Sequence, residues 1–125
     1  MKRLVIDIDH TITTGNGNYN SASPNHDVVN KIREYQRLGF EIVLYSSRNM
    51  RTHNNNIGKI LAKTLPSLTN WLKLHKVPYD EIWMGKPWCG DNGFYVDDKA
   101  IRPNEFIDLS YKEICQITNS TVVDE

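Results

Sequence analysis

The sequence predicts an α/β fold, a doubly wound, Rossmann-like parallel sheet of about four to five strands flanked by helices. Three observations carry that prediction. Short apolar runs rich in β-branched residues, Leu4-Val5-Ile6 and Ile42-Val43-Leu44, read as strands buried on both faces. Between them Val28, Val29, Ile32, Tyr35 and Leu38 recur at helical spacing. The strands also end in polar residues: Asp7 and Asp9 after the first, Ser46 and Arg48 after the second, Asp97 and Asp98 after the fourth. In open α/β sheets ligands bind beyond the carboxyl ends of the strands, so these side chains gather at one edge.

Taken in order, the first strand is followed by a polar loop from Ile12 to Ser23. Ser23-Pro24 reads as a helix start, with Ser at the N-cap and Pro in the first turn, and Gly39 as the stop. Phe40 to Tyr45 is the second strand, and strand, helix and strand imply parallel pairing through a right-handed crossover. The Asn-rich stretch from Asn49 to Asn56 is a loop. Ile57 to Leu65 is helical, and Pro66 opens a second piece through Leu68, Trp71, Leu72 and His75. Asp80 to Met84 is the third strand, Gly85 to Gly90 a loop, and Gly93 to Val96 the fourth strand. Ile101 to Phe106 and a short helix around Tyr111 to Ile117 close the chain, which is read as a single catalytic domain over 1–125.

Fifteen basic residues balance fifteen acidic ones, so no charge excess points to nucleic acid or a membrane surface. No apolar run approaches the roughly 20 residues that span a bilayer, and Met1-Lys2-Arg3 leads straight into the first strand, without room for a signal peptide. Cys89 and Cys115 are too few for a disulfide scaffold, and with His10, His26, His53 and His75 they show no zinc spacing. The expectation is a soluble, reduced, cytoplasmic protein.

Asp7 and Asp9 are separated by one residue, so an extended chain puts both carboxylates on one side. At ~4 Å and an effective dielectric of ~20, two such charges repel by about 4 kcal/mol. A hard divalent cation with oxygen ligands, Mg²⁺ above all, relieves that repulsion. Carboxylates, a hydroxyl and fixed cations at one edge suit a phosphoryl group. Asp7 can attack phosphorus. Asp9 can protonate the leaving alkoxide and later activate water. Ser46 and Lys86 can hold the transferring oxygens. Arg48 and Arg51 suit a substrate oxyanion, and Trp88 a sugar ring.

These residues resemble the haloacid dehalogenase (HAD) superfamily of phosphatases. The DxDxT motif after an apolar strand is Asp7-Ile8-Asp9-His10-Thr11. The strand ending in Ser or Thr is Ile42-Val43-Leu44-Tyr45-Ser46, the lysine motif is Gly85-Lys86-Pro87, and the acidic pair after a strand is Phe94-Tyr95-Val96-Asp97-Asp98. All four follow the family's order over residues 4–98. The resemblance implies Asp7 as nucleophile and metal ligand, and Asp9 as acid/base with its carbonyl on Mg²⁺. Ser46 and Lys86 become the phosphate-binding pair, Asp97 the acidic metal ligand, and Asp98 a residue of the metal site acting through water or by orienting Lys86. Ser46-Ser47-Arg48-Asn49-Met50-Arg51 and Gly85-Lys86-Pro87-Trp88-Cys89-Gly90 further resemble small HAD proteins associated with capsular or surface polysaccharide synthesis. That match implies a phosphorylated sugar or related metabolite, with Ser47, Arg48 and Arg51 facing it.

Other readings keep part of this chemistry. The same reaction on a phosphoprotein or polynucleotide end is one, and a non-catalytic phosphate-binding module is another. A response-regulator receiver fails on position, since no Asp ends the third strand, Ile82-Trp83-Met84. HAD phosphatases commonly carry a cap domain after the first strand or between the second and third motifs. Neither the Ile12–Ser23 loop nor the Asn49–Gly85 stretch is long enough for a separate core. The expectation is a homo-oligomer, dimer or tetramer, in which a neighbouring subunit or the Ile57–His75 segment screens the site, with Trp71, Trp83 and Trp88 as candidate contacts.

Overall fold

A computed structural model describes residues 3–14, 19–85 and 100–123. The chain divides into two compact units, Met1–Trp88 and Cys89–Glu125. The first is built on a parallel sheet of three described strands, β1 (Arg3–Asp7), β4 (Glu41–Ser46) and β5 (Glu81–Met84), in the order β1-β4-β5. Asp7 lies beside Tyr45 and Tyr45 beside Trp83, so the three strands end level with one another. The α/β architecture predicted from the sequence is present, with helices flanking the sheet. The fourth predicted strand, Gly93–Val96, lies outside the described residues.

Alternation along the strands separates the two faces. Ile6, Ile8, Ile42, Leu44 and Ser46 fall on one face and are all buried. The connections between these parallel neighbours, for which a right-handed crossover is the rule, contain α1 (His26–Arg37) and the pair α2 (Ile57–Lys63) and α3 (Leu65–Leu74). Val28, Val29, Ile32 and Tyr35 from α1, Ile60 from α2, and Leu68, Trp71 and Leu72 from α3 complete the core. Fully burying one such side chain stabilises by about 1.5–3 kcal/mol. The other face shows Arg3 bridging Glu41 and Glu81, and leaves Val5 and Trp83 56 and 59% exposed.

Two local expectations change. The N-cap lies two residues later than Ser23-Pro24 suggested. Asn25 is the N-cap, its side chain accepting from the Val28 N–H. Ser23 and Pro24 are drawn instead into a short strand, β3, which pairs antiparallel with β2 (Thr13–Thr14). The polar loop therefore contributes regular structure: besides that ladder it holds a 3₁₀ turn at Tyr19–Ser21. Other signals hold. Gly39 takes φ 91° after α1, and Pro66 sits in the first turn of α3. Asn49, Asn54 and Asn55 take left-handed conformations in the loop after β4, which Asn tolerates better than most residues. Asp80 locks the entry of β5, its amide donating to the Ile42 carbonyl and its carboxylate accepting from the Ile42 N–H, each at 2.8 Å.

The second unit holds α4 (Pro103–Asp108) and α5 (Tyr111–Ile117), with Phe106, Cys115 and Thr118 buried. Ser110 caps α5 in a reciprocal box with Glu113. The backbone N–H of Ser110 and then its hydroxyl hold the Glu113 carboxyl below its ordinary range. This small contribution to stability is present above that range and lost as pH falls through the lowered value.

Candidate active site

The site grows from the point where β1 stops. Ile8 continues the pairing for one residue, its N–H donating to the Tyr45 carbonyl. The chain then turns tightly, because the Ile8 carbonyl accepts from the N–H groups of Thr11, Ile12 and Thr13. His10 holds φ 63° in this turn, and its N–H is satisfied by the Thr13 hydroxyl. With Ile8 and Ile12 both fully buried, the turn is clamped at each end and the two acidic side chains project from a fixed frame.

That turn gives the two carboxylates different surroundings. Asp7, half-buried at the end of β1, has the Thr11 hydroxyl 3.5 Å from Oδ2. Asp9 is held from two sides. Ser46 Oγ donates to Oδ2 at 2.7 Å, and Arg48 donates to Oδ1 from Nε at 3.1 Å and from Nη2 at 2.7 Å. The Arg48 N–H donates in turn to Ser46 Oγ at 2.9 Å, closing a ring among the three residues. Ser46 is fully buried at the end of the central strand, and Arg48 is only 3% exposed. The guanidinium carbon lies 4.0 Å from the centre of the Tyr19 ring, within the range of a cation–π contact.

Tyr19 is itself fixed from behind. Trp71 on α3 donates from Nε1 to the Ala22 carbonyl at 2.9 Å, tying the 3₁₀ turn to that helix. This bond leaves Trp71 buried within the subunit, 3% exposed, and so corrects its assignment as a contact between subunits. Trp83 is exposed, while Trp88 lies outside the described residues.

The predicted site residues thus divide into three groups. Asp9, Ser46 and Arg48 are brought into one network, with Asp7 two residues along the same turn. Ser47 and Arg51 lie on the loop after β4, the first half-buried and the second exposed. Lys86, Asp97 and Asp98 lie outside the described residues, and among the described residues no group of three acidic, His or Cys side chains gathers as a metal site. Two features were missed by sequence reasoning. One is that Arg48 neutralises Asp9, so part of the charge expected from a cation comes from the protein itself. The Ser-x-Arg spacing, with Arg48 two residues beyond a strand-end Ser46, was the signal available for it. The other is Tyr19, the one aromatic residue in an otherwise polar loop.

Among solved structures, the chain is similar to the crystal structure of a Vibrio cholerae protein, with a TM-score of 0.91 and 51% identity over 95% of this chain and 98% of that one. Two structures of the Pnkp1/Rnl/Hen1 RNA repair complex also match, with TM-scores of 0.51 and 0.50 and identities of 19 and 17%. Those matches cover 86 and 92% of this chain but 34 and 31% of the other chains, and the likeness is one of fold. No protein-family model and no curated protein matches this chain. Among the described residues, no helix is long and apolar enough to cross a membrane.

Proposed function

We propose that this chain, which belongs to the same family as the Vibrio cholerae protein, is a Mg²⁺-dependent phosphatase of the HAD type. It hydrolyses a phosphomonoester, a sugar phosphate or similar small metabolite, through an aspartyl-phosphate on Asp7. One observation carries the reading: two aspartates at the carboxyl end of β1 have unlike surroundings, Asp7 beside a hydroxyl and Asp9 held by Ser46 and Arg48. Both stand at the carboxyl end of a parallel strand, where an open α/β sheet binds its ligand.

Asp7, Asp9, Asp97 and Asp98 are the residues assigned to Mg²⁺, and a set made of oxygen donors is the kind a hard cation takes. When bound, the ion supplies positive charge that offsets the repulsion between carboxylate and phosphoryl oxygens. The chain's own groups do the rest. An Asp7 oxygen attacks phosphorus and the ester P–O bond breaks, its electron pair leaving on the alkoxide. Asp9 gives that oxygen a proton, for which it must enter the step as the neutral acid and part from the donors that hold it as a carboxylate. Water then attacks the phosphorus of the aspartyl-phosphate, Asp9 takes the water's proton, and the bond to Asp7 breaks to release inorganic phosphate. Lys86 holds the transferring oxygens. Ser46 has one hydroxyl proton, and it points to Asp9, so serving a phosphoryl oxygen requires it to turn.

A polynucleotide end is the second substrate reading, favoured by a fold shared with chains of an RNA repair complex. The balanced charge of the chain favours the small ester. The test is hydrolysis of p-nitrophenyl phosphate with Mg²⁺, followed by sugar phosphates and a 3′-phosphorylated oligonucleotide. Excess chelator should abolish turnover and added Mg²⁺ restore it; full activity in chelator contradicts the reading. A protein that binds phosphate but never releases alcohol is the non-catalytic module. We further propose a homo-oligomer whose neighbouring subunit helps cover the site. Light scattering on a size-exclusion column should give at least a dimer, and a monomer active on small sugar phosphates contradicts it.

A further inference from the structure

We propose that Tyr19 is a specificity-determining residue, whose ring walls the mouth of the site and packs against a ring in the alcohol part of the phosphomonoester. This rests on the phosphatase reading and deepens it, since it names the class of alcohol the site selects. Contacts in series set the place of the ring. Arg48 Nη2 lies 2.7 Å from Asp9 Oδ1, and the guanidinium carbon lies 4.0 Å from the centre of the Tyr19 ring. One guanidinium thus separates the ring from the turn that carries Asp7 and Asp9. An ester with its phosphorus at Asp7 must run its alcohol part outward from the strand ends, past whatever borders that turn. Tyr19 borders it.

Exposure separates this role from that of a mere cover for Arg48. Arg48 is 3% exposed, yet Tyr19 keeps 42% of its surface in solvent. A single exposed aromatic is ordinary on a protein surface. This one stands on a 3₁₀ turn that Trp71 ties to α3, through the bond from Nε1 to the Ala22 carbonyl at 2.9 Å. Trp71 is itself buried in the core, so the turn is fixed before any ligand arrives. A tyrosine has only two χ angles to lose, so covering such a ring costs little conformational entropy. Small-molecule sites combine aromatic walls with a few placed polar groups. Here the polar groups are Asp7, Asp9 and Ser46, and the wall is Tyr19. A flat ligand ring gains most from such a wall, because it removes an extended apolar face from water at once.

The test reads binding without chemistry. Benzylphosphonate and ethylphosphonate share a head group that cannot be hydrolysed and differ in the ring. Each is measured as an inhibitor of p-nitrophenyl phosphate turnover, in the parent and in Tyr19 variants. The parent should bind benzylphosphonate more tightly. Tyr19→Ala is expected to lower that preference by about tenfold, the scale on which one aromatic stacking contact is lost to alanine. Tyr19→Phe should keep the preference. Loss of the contact with Arg48 would weaken both inhibitors alike, so the ratio of the two isolates the contact with the ligand ring. Glucose 6-phosphate and adenosine 5′-monophosphate, each compared with ethylphosphonate, identify the natural ring. A fall with glucose 6-phosphate assigns a sugar ring, and a fall with the nucleotide alone assigns a base.

An active parent that binds the two phosphonates alike, or neither of them, overturns the inference. Equal weakening of both in folded Tyr19→Ala overturns it as well, and leaves the ring as a cover for Arg48 only. If Tyr19→Ala does not fold, Tyr19→Leu, which keeps apolar bulk without a flat face, decides on the same ratio. A parent that does not turn over p-nitrophenyl phosphate overturns the phosphatase reading, and this inference with it. An active parent whose preference survives in the variants overturns this inference alone.

Discussion

Asp7→Asn is expected to abolish phosphomonoester hydrolysis, to the background seen without protein, for good and poor leaving groups alike. The substitution keeps the volume of the side chain and its place beside Thr11 at the end of β1, so the turn from Ile8 to Thr13 should survive. An amide oxygen is a far weaker nucleophile than a carboxylate, and it leaves no covalent intermediate for water to attack. Removing a nucleophile differs in kind from removing a proton donor, whose loss a good leaving group forgives. The expected rate loss is therefore larger than for Asp9→Asn and insensitive to the ester. The measurement is steady-state turnover of p-nitrophenyl and phenyl phosphate, with thermal melting of the variant to show that it folds. Retained turnover on either ester counts against Asp7 as nucleophile.

Leu44→Ala is expected to produce the largest loss of stability among single truncations near the site, about 3 kcal/mol. Leu44 lies on β4, the middle one of the three described strands, pairs with Ile6 on one side and Ile82 on the other, and is fully buried. Truncating a leucine in such a place removes transfer free energy and leaves a cavity, a cost of about 2–5 kcal/mol. The position also connects packing to chemistry, since Ser46 follows two residues later on the same face of the same strand. Urea denaturation followed by circular dichroism should show a lower midpoint with an unchanged slope. A loss below about 1 kcal/mol contradicts the assignment of β4 as the packed centre of the sheet.

The fold was legible wherever burial sets the pattern. The apolar runs at β1 and β4, the helical spacing of Val28, Val29, Ile32 and Tyr35, and the break at Pro66 each follow from side-chain period or backbone restriction. The start of α1 was not, because the local signal at Ser23-Pro24 is overridden by tertiary pairing. Thr13 and Thr14 are too short a strand to alternate, yet they capture Ser23 and Pro24, and the cap passes to Asn25.

The site divides the same way. Asp7, Asp9 and Ser46 stand at strand ends, and strand ends are visible in a sequence. The contact of Arg48 with Asp9 joins residues 39 apart, and that of Tyr19 with Arg48 crosses from the first connection to the second. Such partners are set by how loops fold over the sheet edge, and no local period encodes them. The spacing of Asp7 and Asp9 gave no sign of an arginine from the next strand's loop on one of the two carboxylates.

Trapping the covalent intermediate tests the central claim most directly. Protein turning over p-nitrophenyl phosphate with Mg²⁺ is quenched in acid, reduced with borohydride and digested, and the peptide containing Asp7 is examined by mass spectrometry. An acyl phosphate on Asp7 is reduced to the alcohol, so the predicted result is homoserine at that position in the active protein and unmodified asparagine in Asp7→Asn. Turnover with Asp7 left unmodified, or reduction found at another carboxylate, would contradict the account.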